Sequence, residues 1–216
     1  MPEIMFHVEA IEIAPHSLTP MLEFKLRLAD GAMDEPVAGI ILHCQLMIDV
    51  PRRHHLEEER RHLVELFGDV PSPESPLRPL LWAHADVNVP AFEHECVVDM
   101  PVACSFDFNA AATKYFHALE EGEVPLCLQF SGTVFFRDAE GRLQVGLIPW
   151  SAEARCNLGV AIWRHLRDRY YPDMTWLCVQ RTAFERLCDY KRTAGLPSWE
   201  LALDRLLETT RTEPKT

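Results

Sequence analysis

The chain has 216 residues, of which 48% are hydrophobic, 25% charged and 9% aromatic, a globular composition long enough to bury a core without covalent staples. Its net charge of −12 is uneven: residues 1–150 hold 10 Lys+Arg against 24 Asp+Glu, whereas 151–216 hold 11 against 9. A surface this acidic repels phosphate backbones and anionic headgroups, so no nucleic-acid partner and no electrostatic membrane attachment are expected.

The seven cysteines form no Cys-x-x-Cys pair and no even framework, which reads as free thiols in a reducing compartment. Residues 1–10 lack the basic start and apolar block of a signal peptide, and no apolar run approaches the ~20 residues of a membrane span. A cytoplasmic protein with no membrane span is the expectation.

In chain order, Ile4, Phe6 and Val8 alternate with polar neighbours, and Leu22, Phe24, Leu26 and Leu28 do so after Pro15 and Pro20. A turn over residues 30–36 leads to a third alternating run at Ile40, Leu42, Cys44, Leu46 and Ile48. Period two predicts three half-buried strands, joined as an antiparallel meander. Residues 56–67 change period: Leu56, Leu63, Leu66 and Phe67 share a face opposite Glu57 to Arg61, predicting an amphipathic helix closed by Gly68. Three prolines in 71–76 make a loop. Residues 80–89, 92–100 and 102–108 read as strands, the last two divided at Pro101.

Asn109 is a fitting N-cap for a short helix over 110–119. Val124, Leu126, Leu128 and Phe130 then alternate, continued by Val134 and Phe136, and residues 138–141 turn the chain into Leu143, Val145 and Leu147. From Ser151 the spacing of Leu158, Ile162, His165 and Leu166 predicts helix. A second helix runs from about Thr182 to a Gly195 cap, and Ser198 caps a third over 199–208, before a frayed tail at 209–216. The expected fold is therefore α+β: an antiparallel β-sandwich or curved sheet over 1–150, carrying two short helices, with a three-helix C-terminal extension over 151–216 packed on it.

Few residues suggest chemistry. His55, Glu58, Glu59 and His62 fall at i, i+3, i+4 and i+7, and Glu59 with His62 is a Glu-x-x-His, but a di-iron bundle needs a second copy and none exists. A charged outer helix face laced by pairs such as Glu57 with Arg61 is the preferred reading. His84 and Asp86 share a strand face, yet two ligands make no metal site, so no metal and no cofactor are expected. Ser105, Ser131 and Ser151 lie in no nucleophile elbow, and the nine glycines build no phosphate loop. Trp82, Trp150, Trp163, Trp176 and Trp199 read first as core or inter-element packing residues, although Trp82 and Trp150 stand at strand ends, where an aromatic is partly open. No catalytic residue is assigned; Trp82, His84, Asp86 and Trp150 are the candidate partner- or ligand-binding residues.

Several stretches resemble a bacterial family of unknown function whose genes are often found beside uptake nickel–iron hydrogenase operons. They are Leu77-Arg-Pro-Leu-Leu-Trp82 with His84, Phe106-Asp-Phe108, Ala112-Thr-Lys-Tyr-Phe-His-Ala-Leu119, Phe130-Ser-Gly-Thr-Val-Phe135, Ile148-Pro-Trp150 and Trp163-Arg164. The resemblance covers nearly the whole chain. It implies help with hydrogenase maturation, assembly or electron-transfer coupling, and it carries over no assigned activity and no catalytic residues. Together with the missing chemistry, it leads to the expectation of a non-enzymatic interaction or assembly accessory protein whose partner is a hydrogenase subunit or maturation factor. The alternatives are a metal- or small-ligand-binding protein, or an enzyme, using the His84/Asp86 region, or a sandwich that stacks a ligand on Trp82 or Trp150.

Overall fold

Runs of alternating apolar residues become strands because one face of each can be buried against a second sheet. The computed structural model describes residues 3–31, 36–67, 77–104, 110–174 and 179–212. Gly68, the 71–76 loop, Ser105, Phe106, Phe108, Asn109, Trp176 and Cys178 lie outside the described residues. The chain divides into two compact units, Met1–Met174 and Thr175–Thr216.

Among the described residues the first unit holds eight strands: β1 (Ile4–Ile13), β2 (Met21–Asp30), β3 (Val37–Ile48), β4 (Leu80–Val89), β5 (Glu95–Ala103), β6 (Glu123–Arg137), β7 (Leu143–Leu147) and β8 (Glu153–Gly159). Its helices are α1 (Glu57–Phe67), α2 (Ala110–Ala118) and α3 (Val160–Tyr170), with a 3-10 turn at Val50–Arg52. A three-stranded sheet is ordered β1-β2-β5, and a five-stranded sheet β4-β3-β6-β7 has β8 paired beside β7 on β6. All pairings are antiparallel. The expected α+β class is therefore present, and of the sandwich and the curved sheet it is the sandwich-like arrangement of two antiparallel sheets that forms.

The inner faces meet through Phe6 of β1, stacked on Phe130 of β6 with ring centroids 4.2 Å apart, and Phe24 of β2, edge-on to Trp82 of β4. Leu22, Leu26 and Leu28 from one sheet, and Leu42, Leu46, Ile48 and Leu128 from the other, are fully buried in the same core. At one end Phe116 of α2 stacks on Trp163 of α3 at 4.3 Å, and Arg164 donates to the Leu119 carbonyl at 2.9 Å. The C-terminal end of α3 is tied to the β1–β2 connection by Tyr170 Oη, which donates to the Ser17 carbonyl at 2.7 Å.

Several elements differ from the sequence reading. The expected meander of the first three strands does not form: β2 pairs with β1 and β5, whereas β3 crosses to the other sheet and pairs with β4 and β6. Residues expected as two strands parted at Pro101 are the single strand β5, in which Pro101 lies opposite Glu23. β5 is the last strand of its sheet, so the missing proline N–H interrupts no ladder. The stretch expected as helix from Ser151 begins as strand β8, and helix starts only at Val160. Ala154, Cys156 and Leu158 alternate against Glu153, Arg155 and Asn157, and pairing with β6 overrides the weak 3.6 spacing.

The second unit contains α4 (Arg181–Thr193) and α5 (Trp199–Thr212). Gly195, at φ +62°, ends the turn after α4, and Ser198 Oγ accepts from the Leu201 N–H at 3.2 Å to cap α5. Phe184 and Trp199 pack with ring centroids 5.5 Å apart. Helix α5 runs to Thr212, four residues beyond the expected end at Glu208.

Candidate functional site on the outer face of the five-stranded sheet

The outer face of the larger sheet is set by register. On β6 the inward residues are Val124, Leu126, Leu128, Phe130, Val134 and Phe136, so Gln129, Ser131, Thr133, Phe135 and Arg137 turn outward. The turn after β6 is built by Asp138: its N–H donates to the Arg142 carbonyl at 3.0 Å, and its carboxylate accepts from the N–H groups of Glu140 and Arg142. That turn pairs Leu143 with Arg137, Val145 with Phe135 and Leu147 with Thr133. The apolar side chains of β7 therefore point outward, at 57%, 63% and 71% exposure. Ile41 of β3, opposite Thr133, extends the patch.

Among the described residues the backbone of β7 is open on one side as well. Ile148 N–H donates to the Gly132 carbonyl at 3.0 Å, so by the antiparallel alternation residues 144 and 146 also face β6, while the amides and carbonyls of Leu143, Val145 and Leu147 face away from it. The chain then turns through Pro149 and Trp150 into β8, the Ala152 N–H closing the turn on the Pro149 carbonyl at 3.0 Å. Trp150 stands on this turn at 94% exposure, an indole left in solvent at the end of an apolar strip.

Polar rows cross the same face beside the strip. Asp86, His43 and Ser131 are aligned across β4, β3 and β6, and His84, Gln45, Gln129 and Glu153 form the next row. His43 Nδ1 and Asp86 Oδ1 are 2.5 Å apart. The Asp-His-Ser order resembles a hydrolytic triad, but the His43 and Asp86 side chains are 56% and 76% exposed on an open sheet. Among the described residues no group of three or more His, Cys, Asp or Glu side chains is placed to hold a metal ion.

Of the four residues expected to bind a partner or ligand, His84, Asp86 and Trp150 are exposed, the first two on the outer face. Trp82 lies elsewhere: it is a core residue at 5% exposure, edge-on to Phe116 at 5.3 Å and to Trp163 at 6.1 Å. An inserted position in β4 between Leu81 and Ala83 breaks the alternation there and sends Trp82 inward. It offers no stacking platform at the surface.

The histidine-rich segment is not a uniform charged face. Glu58 and His62 are exposed, but His55 and Glu59 are buried, and no Glu57–Arg61 ion pair forms among the described residues. Glu59 reaches back to accept the Leu56 N–H at 3.0 Å, as a capping carboxylate does. It also accepts from the Glu120 N–H at 3.0 Å and from Arg53 Nη2 at 2.7 Å. Arg53 in turn donates to the carbonyls of Glu123 at 2.5 Å and Glu121 at 2.7 Å, fastening α1 to the start of β6. Burial pushes the Glu59 carboxyl up, but the two amides and Arg53 outweigh it and hold the group below its ordinary value. His55 Nε2 lies 2.9 Å from Tyr115 Oη, and burial first, then Arg53, lowers its affinity for a proton.

Residues 1–215 match the family of unknown function DUF6084. The chain belongs to that family. No curated protein matches it. Of the residues that carried the resemblance, Trp82, Tyr115, Phe116 and Trp163 form the aromatic core, whereas His84 and Trp150 are exposed.

Proposed function

We propose that this chain is a non-enzymatic accessory protein that binds another protein at the open edge of β7. The observation that carries the reading is the coincidence of a backbone edge on β7 that is unpaired among the described residues, outward Leu143, Val145 and Leu147, and the solvent-exposed indole of Trp150 on the turn that follows. An apolar edge strand invites strand pairing unless it is blunted or covered. The occupant is an extended segment of the partner that adds as a strand, with apolar side chains over β7 and Trp150 and basic residues flanking them. Main-chain bonds supply affinity and alternate side chains supply choice. The excess of 24 acidic over 10 basic residues in 1–150 favours the basic flanks. The partner proposed is a hydrogenase subunit or maturation factor, on the strength of the gene neighbourhood that the resemblance implies.

Affinity purification of the tagged full chain from its native host under hydrogenase-inducing conditions, run in parallel with Val145→Pro and Leu147→Lys, tests this. The Val145 N–H faces away from β6, so proline there blocks strand addition without removing a ladder bond. Recovery of a hydrogenase component by the wild type, and its loss from both variants, is expected. Recovery by Val145→Pro at the wild-type level refutes edge pairing, and recovery of no hydrogenase component by the wild type refutes the named partner.

A further inference from the structure

Away from β7, a cavity of about 400 Å³ opens between the Val50–Arg52 turn and one face of α1, within the size range of small-ligand sites. Glu57, Arg60, Arg61 and Val64 succeed one another at i, i+3, i+4 and i+7 along that face, and Phe67 and Leu77 continue the wall. The adjacent face, with Glu59 and Leu63, is turned into the protein. The cavity thus has an apolar side of Leu63, Val64, Phe67 and Leu77, and a rim of Arg60 and Arg61 with His54.

Charge is distributed there against the trend of the molecule. Residues 1–150 hold only 10 Lys+Arg, yet Arg53, Arg60 and Arg61 all line this cavity, and Glu57 is the one carboxylate among the described lining residues. Arg53 is already neutralised by Glu59. Arg60 and Arg61 are exposed, and neither has an ion-pair partner among the described residues. Two adjacent exposed guanidinium groups, with Glu57 as the one carboxylate among the described lining residues, stand at the mouth of an apolar pocket and are suited to an oxyanion that carries a hydrocarbon tail.

We propose that this cavity binds a small amphipathic anion: a carboxylate or phosphate monoester head held by Arg60 and Arg61, with an alkyl tail against Leu63, Val64, Phe67 and Leu77. The head is recognised by charge-assisted hydrogen bonds and the tail by loss of water from apolar surface. This site is separate from the β7 edge and stands or falls independently of it.

Isothermal titration of the full chain with octanoate, octyl phosphate, octanol and inorganic phosphate tests both halves. At least one of the two octyl anions is expected to bind about tenfold or more tightly than octanol and than inorganic phosphate, and the tighter of the pair identifies the head. Arg60→Gln with Arg61→Gln, both helix-compatible and exposed, is expected to weaken that anion about tenfold with the thermal midpoint unchanged. Val64→Glu, which changes only the partly exposed tail wall, is expected to do the same. Equal binding of octanol removes the charged head from the proposal, and equal binding of inorganic phosphate removes the tail. Undiminished binding to the arginine variant, or no binding of either octyl anion at millimolar concentration, overturns it.

Discussion

Replacing Glu59 by leucine leaves Arg53 as a charge in the protein interior without its counter-ion. The side chains of Arg53 and Glu59 are 8% and 0% exposed, so water does not take over the lost contact. The substitution also strands the N–H groups of Glu120 and Leu56. Breaking a buried pair by removing one partner costs ~3–5 kcal/mol. For a domain of this size, that is a fall of roughly 6–20 °C in thermal midpoint. Because Arg53 also holds the carbonyls of Glu121 and Glu123, the loss is expected to loosen α1 and the start of β6 together. Near-UV circular dichroism during urea and thermal unfolding reports it through the Trp82 and Trp163 core. The double variant Arg53→Met, Glu59→Leu should recover part of the loss, which makes the coupling between the two positions favourable. The sign of the pH dependence follows from the lowered Glu59 value. Its contribution is fully present above its ordinary value near 4.5 and disappears as pH falls through the lower folded value, so wild type and Glu59→Leu converge in acid. A loss below about 1 kcal/mol at pH 7, the range of solvent-exposed pairs, refutes the argument.

Gly132 sits in β6 at φ +146°, and a Cβ there would stand 2.1 Å from the Ile41 carbonyl oxygen. Gly132→Ala is therefore expected to cost more than about 3 kcal/mol in urea unfolding, at the upper end for point substitutions, and a loss under about 1 kcal/mol contradicts the close approach. Burial pushes the thiols of Cys44 and Cys104 up to about 12. In a time course at pH 8, read by mass spectrometry, a thiol reagent is expected to modify these two only as the protein unfolds, and modification of either at the rate of an exposed thiol refutes their placement.

How much of this was legible varies by element, for physical reasons. The strand β4 occupies the residues read as strand, 80–89, and one of its faces is buried. The insertion between Leu81 and Ala83, which decides that Trp82 is core, depends on the partner strand and leaves no mark in the local pattern. Arg53 and Glu59 were missed for a related reason. A charged residue is buried only when partners are brought to it, and here they are the backbone groups of residues 120–123, some sixty positions away. The outward face of β7 was not read from the sequence: it follows from the turn at Asp138, which places Leu143 opposite Arg137, since directly paired residues share a face. Alternation alone identified a strand but not which way its apolar set points.

That orientation raises the question of what keeps an open apolar edge from pairing with a second copy of itself. Copies carrying −12 each repel at low ionic strength, and the repulsion acts over about 8–10 Å at physiological salt. A basic segment of the proposed partner meets no such barrier, so on that proposal the same charge that discourages self-pairing favours a different chain at β7. At ~1 M sodium chloride the screening length falls to ~3 Å, and the protection against self-pairing should fall with it. Light scattering is therefore expected to show the weight-average mass of the wild type rising with salt, while Val145→Pro, whose edge is closed to strand addition, stays at its low-salt mass. A mass that does not change with salt, or one that rises equally in Val145→Pro, would mean that charge is not what guards this edge, and the acidic body would have to be explained by solubility alone.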